Sequence, residues 1–200
     1  MLKVAFRKIE KKDLALIMGW RNQERILKNS RDHRQLTMAD QLKWFQKIST
    51  SQSDDMSLIL ENGVARGVCG LAHINRKNRS AEITYYLGQL KNAAIDVAMG
   101  SGAYAFLKKK GFEEYKLTNL YGEVFEYNEG GIKLAYYGGF KKKGIKRKSI
   151  FWNGKYWDGI MVSMTAEEYR KEMGKSKPRD HQKVSMAGRF KASSVGDIAS

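Results

Sequence analysis

The sequence predicts an α/β fold of the α+β kind: a mixed, mostly antiparallel twisted sheet of about seven strands with flanking helices. Three observations carry this. Two Asn-Gly pairs, Asn62-Gly63 and Asn153-Gly154, each separate alternating apolar runs. That is the signal of a tight hairpin, because both turn positions accept positive φ. Between residues 13 and 50, apolar side chains recur at i, i+3 and i+4, as on amphipathic helices. A helical stretch then joins two further strands, which favours a right-handed parallel crossover.

In chain order, residues 3–7 alternate and suit an edge strand. Asp13 reads as the cap of a helix with Leu14, Ile17 and Met18 on one face, running into Trp20-Arg21-Asn22. Thr37-Met38-Ala39-Asp40 reads as a capping box opening a helix with Leu42, Phe45 and Ile48 inward. Strands at 57–61 and 66–74 flank the first Asn-Gly, and 81–87 adds a third. Gly100-Ser101-Gly102 reads as a glycine turn opening a helix that ends near Lys110. A strand at 117–127 and a helix headed by Asn128 follow. Strands at 146–152 and 156–164 form the second hairpin, and Thr165-Ala166-Glu167-Glu168 starts a last helix. The expected domain is residues 1–173. Residues 174–200, polar and holding the only proline, read as a mobile tail.

Hydrophobic content of 42%, with 4 Trp, 10 Tyr and 8 Phe, is enough for a real core. No apolar run approaches the roughly 20 residues of a membrane helix, and the N-terminus lacks the apolar stretch of a secretory signal. With a single cysteine, Cys69, there is no internal disulfide, and a reducing, cytoplasmic setting is expected. Lys and Arg outnumber Asp and Glu by 37 to 21, a net charge of +16. The basic residues are scattered, with short runs at 108–110, 141–143 and 146–148, and no aromatic platform beside them. A solvated basic surface or an anionic small molecule fits better than nucleic acid.

A glycine turn at a helix start holds anions, since free backbone N–H groups and the positive helix end face one point. Glu123 shares a strand face with Tyr121, Phe125 and Tyr127. Such a surround is expected to raise a carboxyl pKa toward the range of a useful base. His33 and His73 lack partners at readable spacing, Cys69 reads as core, and no Asp, Glu or His cluster has metal spacing.

Over residues 1–170 the order of elements resembles the GNAT superfamily of acetyl-CoA-dependent N-acetyltransferases. Four stretches carry the resemblance: Asp13 with Trp20-Arg21-Asn22; Asn78-Arg79-Ser80-Ala81-Glu82-Ile83-Thr84-Tyr85-Tyr86; Gly100-Ser101-Gly102; and Asn128 through Ile132-Lys133-Leu134 to Gly139-Phe140. The first segment and the ending Phe151-Trp152-Asn153-Gly154-Lys155-Tyr156-Trp157-Asp158 look most like sugar N-acetyltransferases. Among these, the enzymes acetylating UDP-linked 4-amino-sugars on the way to pseudaminic acid are the most similar. The resemblance implies acetyl-CoA as donor and no metal. It places the pyrophosphate against Val97, Met99, Gly100, Ser101, Gly102 and Ala103, with Asn128 at the pantetheine arm. Glu123 is then the expected base, Tyr136 or Tyr137 the acid, and Trp20, Arg21 and Asn22 the acceptor contacts. An amino-sugar nucleotide is the expected acceptor, and a homodimer is compatible. The alternatives are acetylation of a protein N-terminus, such as a ribosomal protein, and a non-catalytic GNAT-like module. Two positions depart from the family pattern: Val97 stands where Arg or Gln is usual, and Ala135 where a tyrosine is usual, directly before Tyr136 and Tyr137.

Overall fold

The computed structural model describes residues 2–175. A seven-stranded sheet runs in the order β1-β2-β3-β4-β5-β7-β6. Its strands are β1 (Val4–Lys8), β2 (Asp55–Glu61), β3 (Val64–Asn75), β4 (Ser80–Leu87), β5 (Asn119–Phe125), β6 (Lys141–Trp152) and β7 (Lys155–Thr165). Every pairing is antiparallel except β4 with β5. The expected sheet is therefore observed, with β1 at one edge.

Both Asn-Gly turns form as read: Asn62 and Gly63 have φ of 49° and 86°, and Asn153 and Gly154 have 49° and 79°. The helices are α1 (Leu14–Arg21), α2 (Glu24–Leu27), α3 (Met38–Thr50), α4 (Ala93–Lys108), α5 (Glu129–Tyr137) and α6 (Ala166–Lys175). The capping box of α3 forms reciprocally, Asp40 N–H donating to Thr37 Oγ1 at 3.2 Å and Thr37 N–H to Asp40 Oδ2 at 2.8 Å. Thr165 and Glu168 do the same at α6. Helix α6 continues through Lys175, so the expected tail begins inside it; the remainder lies outside the described residues.

Asp13 departs from its reading. It makes no side-chain cap for α1; its two oxygens accept from Arg7 Nη1 and Nη2 at 2.7 and 2.8 Å. A bidentate guanidinium contact on a buried carboxylate outweighs one backbone cap. It ties α1 to β1.

The sheet separates two apolar layers. On one side, Met99, Ala103, Tyr104 and Leu107 of α4 and Ala135 of α5 pack on Ala81, Ile83, Tyr85 and Leu120. On the other, Leu14, Ile17 and Trp20 of α1, Ile26 of α2, and Leu42, Phe45 and Ile48 of α3 pack on Leu58, Val68 and Tyr86. The alternation of β4 decides which side chain serves which layer. Cys69 is fully buried, and burial pushes its thiol up to about 12. Native protein is therefore expected to resist Ellman's reagent at neutral pH and to titrate one thiol only after denaturation.

Candidate active site

Strands β4 and β5 pair over only three positions, Ser80↔Asn119, Ala81↔Leu120 and Glu82↔Tyr121. Beyond Glu82, β4 stays with β3 as far as Gly67↔Leu87, while β5 stays with β7 as far as Phe125↔Gly159. The two strands splay apart inside the sheet. The β5-facing edge of β4 from Ile83 onward thus has no ladder partner among the described residues, although buried N–H and C=O groups require one.

The chain leaving β4 is pinned in place. Arg25 donates to the carbonyls of Leu87 and Gly88 at 2.9 and 2.5 Å, and Gly88 N–H donates to Arg66 O at 2.7 Å. A Cβ at Gly88 would overlap the Trp20 ring. Helix α4 then begins at Ala93, not at Gly100. Asn92 is its cap, accepting from Ile95 N–H at 3.0 Å, and Lys91 N–H donates to Asp96 Oδ1 at 3.1 Å. The first N–H groups of α4, at Ala93 and Ala94, have no partner within the helix.

The expected glycine turn is therefore corrected: Gly100, Ser101 and Gly102 lie within α4. Ser101 Oγ donates back to Val97 O at 2.8 Å, Val97 is exposed, and Met99, Gly100 and Ala103 are buried. The glycines serve packing. A Cβ at Gly100 would stand 2.6 Å from Leu134 of α5 and 3.1 Å from the Tyr85 hydroxyl; at Gly102 it would stand 3.1 Å from Val4. Glycine in a helix costs about 1 kcal/mol relative to alanine, and close helix approach offsets it. The overlooked signal was Asn92 before Ala93-Ala94, a capping residue followed by the strongest helix formers.

The other face of the splay is charged. The Glu123 side chain on β5 is only 4% exposed. It accepts from Ser149 Oγ of β6 and from Arg31 Nη2 at 3.1 Å, with Lys146 Nζ at 3.6 Å. A Cβ at Gly159 on β7 would overlap the carboxylate, so glycine there leaves its space. Burial alone would raise the Glu123 pKa, but the Ser149 hydroxyl, the Arg31 guanidinium and the Lys146 ammonium outweigh burial and hold it below the ordinary range. The expected upward shift is corrected.

Arg31 lies on the loop between α2 and α3, and its side chain is 56% exposed. Its Nη2 reaches two carboxylates at once, 2.7 Å from Glu82 Oε1 and 3.1 Å from Glu123 Oε2. Glu82 Oε2 in turn lies 3.0 Å from His73 Nδ1. Arg31, Glu82, His73, Ser149 and Lys146 come from distant stretches, and no local spacing announces them.

The remaining predicted residues lie on α1 and α5 and at their caps. Trp20 is buried beneath Gly88. The Arg21 guanidinium stands 6.0 Å from the Tyr86 ring centroid and donates to Ser30. Asn22 clamps the Arg31 loop, donating to Leu36 O at 2.9 Å and accepting from Leu36 N–H at 2.8 Å. Asn128 caps α5 through Gly131 N–H at 3.0 Å. Ala135 takes the inward direction of α5, leaving Tyr136 and Tyr137 outward at 43% and 75% exposure. Neither phenol is among the polar partners of Glu123.

Among the described residues, no three His, Cys, Asp or Glu side chains group as a metal would require, and no helix is long and apolar enough to cross a membrane. A model of the acetyltransferase (GNAT) domain matches residues 6–161. An uncharacterized N-acetyltransferase, YokL, derived from the SPbeta prophage of Bacillus subtilis strain 168, is 43% identical over 63 residues. That match spans 32% of this chain and 36% of the relative. The spermidine N-acetyltransferase of Vibrio cholerae in complex with CoA and spermine superposes with a TM-score of 0.73 at 20% identity, covering 84% of this chain and 98% of the other. A dodecameric structure of the same Vibrio cholerae enzyme gives 0.70 at 19% identity, over 87% and 98%. With the family model matched over residues 6–161, the chain belongs to the GNAT family of acetyltransferases.

Proposed function

We propose that the protein is an acetyl-CoA-dependent N-acetyltransferase whose acceptor is an amine on an anionic carrier, of the UDP-amino-sugar kind. One observation carries the amine: Arg31 Nη2, a cationic nitrogen, sits between Glu82 and Glu123 beside the splay. Arg31 is half exposed on a loop, whereas both carboxylates are fixed on strands. An acceptor ammonium takes the same position when the arginine swings out.

The donor's fit rests on groups that lack partners among the described residues. The free edge of β4 suits an extended amide-bearing arm, as a strand added to a sheet does. The N–H groups of Ala93 and Ala94, beside Lys91, suit phosphate oxygens. When bound, acetyl-CoA supplies an activated acetyl group. The chain holds the amine between Glu82 and Glu123 and keeps both groups aligned. Of the α5 phenols, the less exposed Tyr136 is assigned to the departing sulfur, ahead of Tyr137.

The carrier is read from β6. Lys141, Lys142, Lys143, Lys146, Arg147 and Lys148 are exposed on this strand, which also carries Ser149 to Glu123. Such a strip attracts a diphosphate and repels a polycation. A second reading, acetylation of a polyamine, is favoured by the pair of carboxylates and by the spermidine acetyltransferases that share the fold. Thiol release from acetyl-CoA, assayed over UDP-amino-sugars, polyamines and peptide N-termini, separates these. Turnover confined to the nucleotide sugars is expected, and turnover confined to polyamines favours the second reading. Acetyl-CoA at about a hundred times its Kd should stabilise the fold by about 2.7 kcal/mol. No change in Tm would remove both.

A further inference from the structure

We propose that His73, acting through Glu82, carries the acceptor's proton out to water; this rests on the N-acetyltransferase reading above. A reacting ammonium must lose a proton before its nitrogen can attack. Glu123 is poorly suited to take it, because three neighbours stabilise its ionised form. Glu82 shares the position between the strands, and its far oxygen faces His73 Nδ1 at 3.0 Å.

The placement of His73 is costly in a way that packing does not explain. Its φ is 50°, left-handed, within a strand otherwise extended. The register of β3 against β4 breaks between Ala72 and Asn75 around it. The side chain gains no burial from this, since it remains 62% exposed. What the bulge achieves is to turn the imidazole toward Glu82; bulges re-aim side chains in this manner beside active sites. The titratable and charged groups facing this pair are Arg31, on the other oxygen of Glu82 and shared with Glu123, Tyr121, paired with Glu82 on the neighbouring strand, and Arg76, which lines the hollow next to His73.

The step balances simply. The ammonium between Glu82 and Glu123 gives one proton to Glu82. His73, exposed enough to exchange tautomers through water, takes that proton on Nδ1 and gives its Nε2 proton to solvent. The amine is left neutral, Glu82 ionised and His73 as its Nδ1–H tautomer, which solvent exchange resets before the next turnover. Histidine suits such exchange near neutrality. His73 is a positioning and relay residue, since it reaches the acceptor only through Glu82.

The test is His73→Asn. Asparagine tolerates positive φ, and its amide can keep a hydrogen bond to Glu82, but it cannot exchange a proton. The expected result is a Tm like the parent's, an unchanged KM, and kcat lower by about a hundredfold. The pH profile of kcat should change, and added imidazole should restore part of the rate. A parent-like kcat and pH profile in His73→Asn overturns the relay while leaving the acetyltransferase reading intact. A parent that releases no thiol with any amine overturns both. A variant whose Tm collapses along with kcat assigns His73 to the fold and likewise overturns the relay, which His73→Gln checks independently.

Discussion

Glu123→Gln is expected to lower kcat/KM by about ten- to a hundredfold, the worth of one charge-assisted hydrogen bond to an ammonium. The effect falls mainly on acceptor KM, because in the proposed arrangement Glu123 holds the amine rather than taking its proton. Its carboxylate is fixed by Ser149, Arg31 and Lys146 and stays ionised well into the acid range. The pH dependence near neutrality should therefore survive the substitution. If Glu123 were the base, that limb would vanish with the carboxylate, and this outcome would sink the assignment. Stability follows the same sign. A carboxylate with a lowered folded pKa contributes stability that is complete above the ordinary carboxylate range and is lost as pH falls through the folded value. The variant should thus be less stable than the parent at pH 7, with the gap closing on acidification.

Trp20→Ala is expected to cost about 3–5 kcal/mol, as for a buried aromatic removed from a core. For a chain of this size that is a fall in Tm on the order of 10 °C. Trp20 lies under Gly88, so its ring supports the turn whose carbonyls Arg25 holds and from which α4 departs. Both the stability and the donor affinity should drop, with Trp20→Phe losing less. A Trp20→Ala protein with parent Tm and a raised acceptor KM alone would return this residue to the acceptor contacts implied by family resemblance. Gly88→Ala provides the converse check, since its Cβ enters the same ring.

The fold was legible because its signals are local. Asn62-Gly63, Asn153-Gly154 and the Thr37 and Thr165 boxes each combine a turn or a cap with the residues that need it, and all four form. The alternation of residues 81–87 likewise sorts the two layers, Tyr85 to α4 and Tyr86 to α1. The start of α4 was misread because glycine is read as a break, although Gly100 and Gly102 are where α4 comes close to α5 and β1. The candidate site was only partly legible. Glu123 stands out on its strand, but its environment is made by Arg31, Lys146 and Ser149, which lie far from it in sequence. An aromatic strand face suggested desolvation; the cations that reverse its effect arrive by tertiary packing. His73 looked like an ordinary strand residue because a register break has no signature in alternation. Even the basic runs mislead locally, since Lys108 is buried and pairs with Glu172 at 2.7 Å.

The splay between β4 and β5 means that this sheet is not closed by its own chain. Seven strands are present, yet the middle of the sheet contains a seam that the polypeptide leaves unsewn beyond Glu82. Whatever fills that seam becomes an eighth member of the sheet while it stays. If the donor lies there as proposed, each turnover completes and reopens the sheet, while the pairings of β3 with β4 and of β5 with β7 hold its two halves.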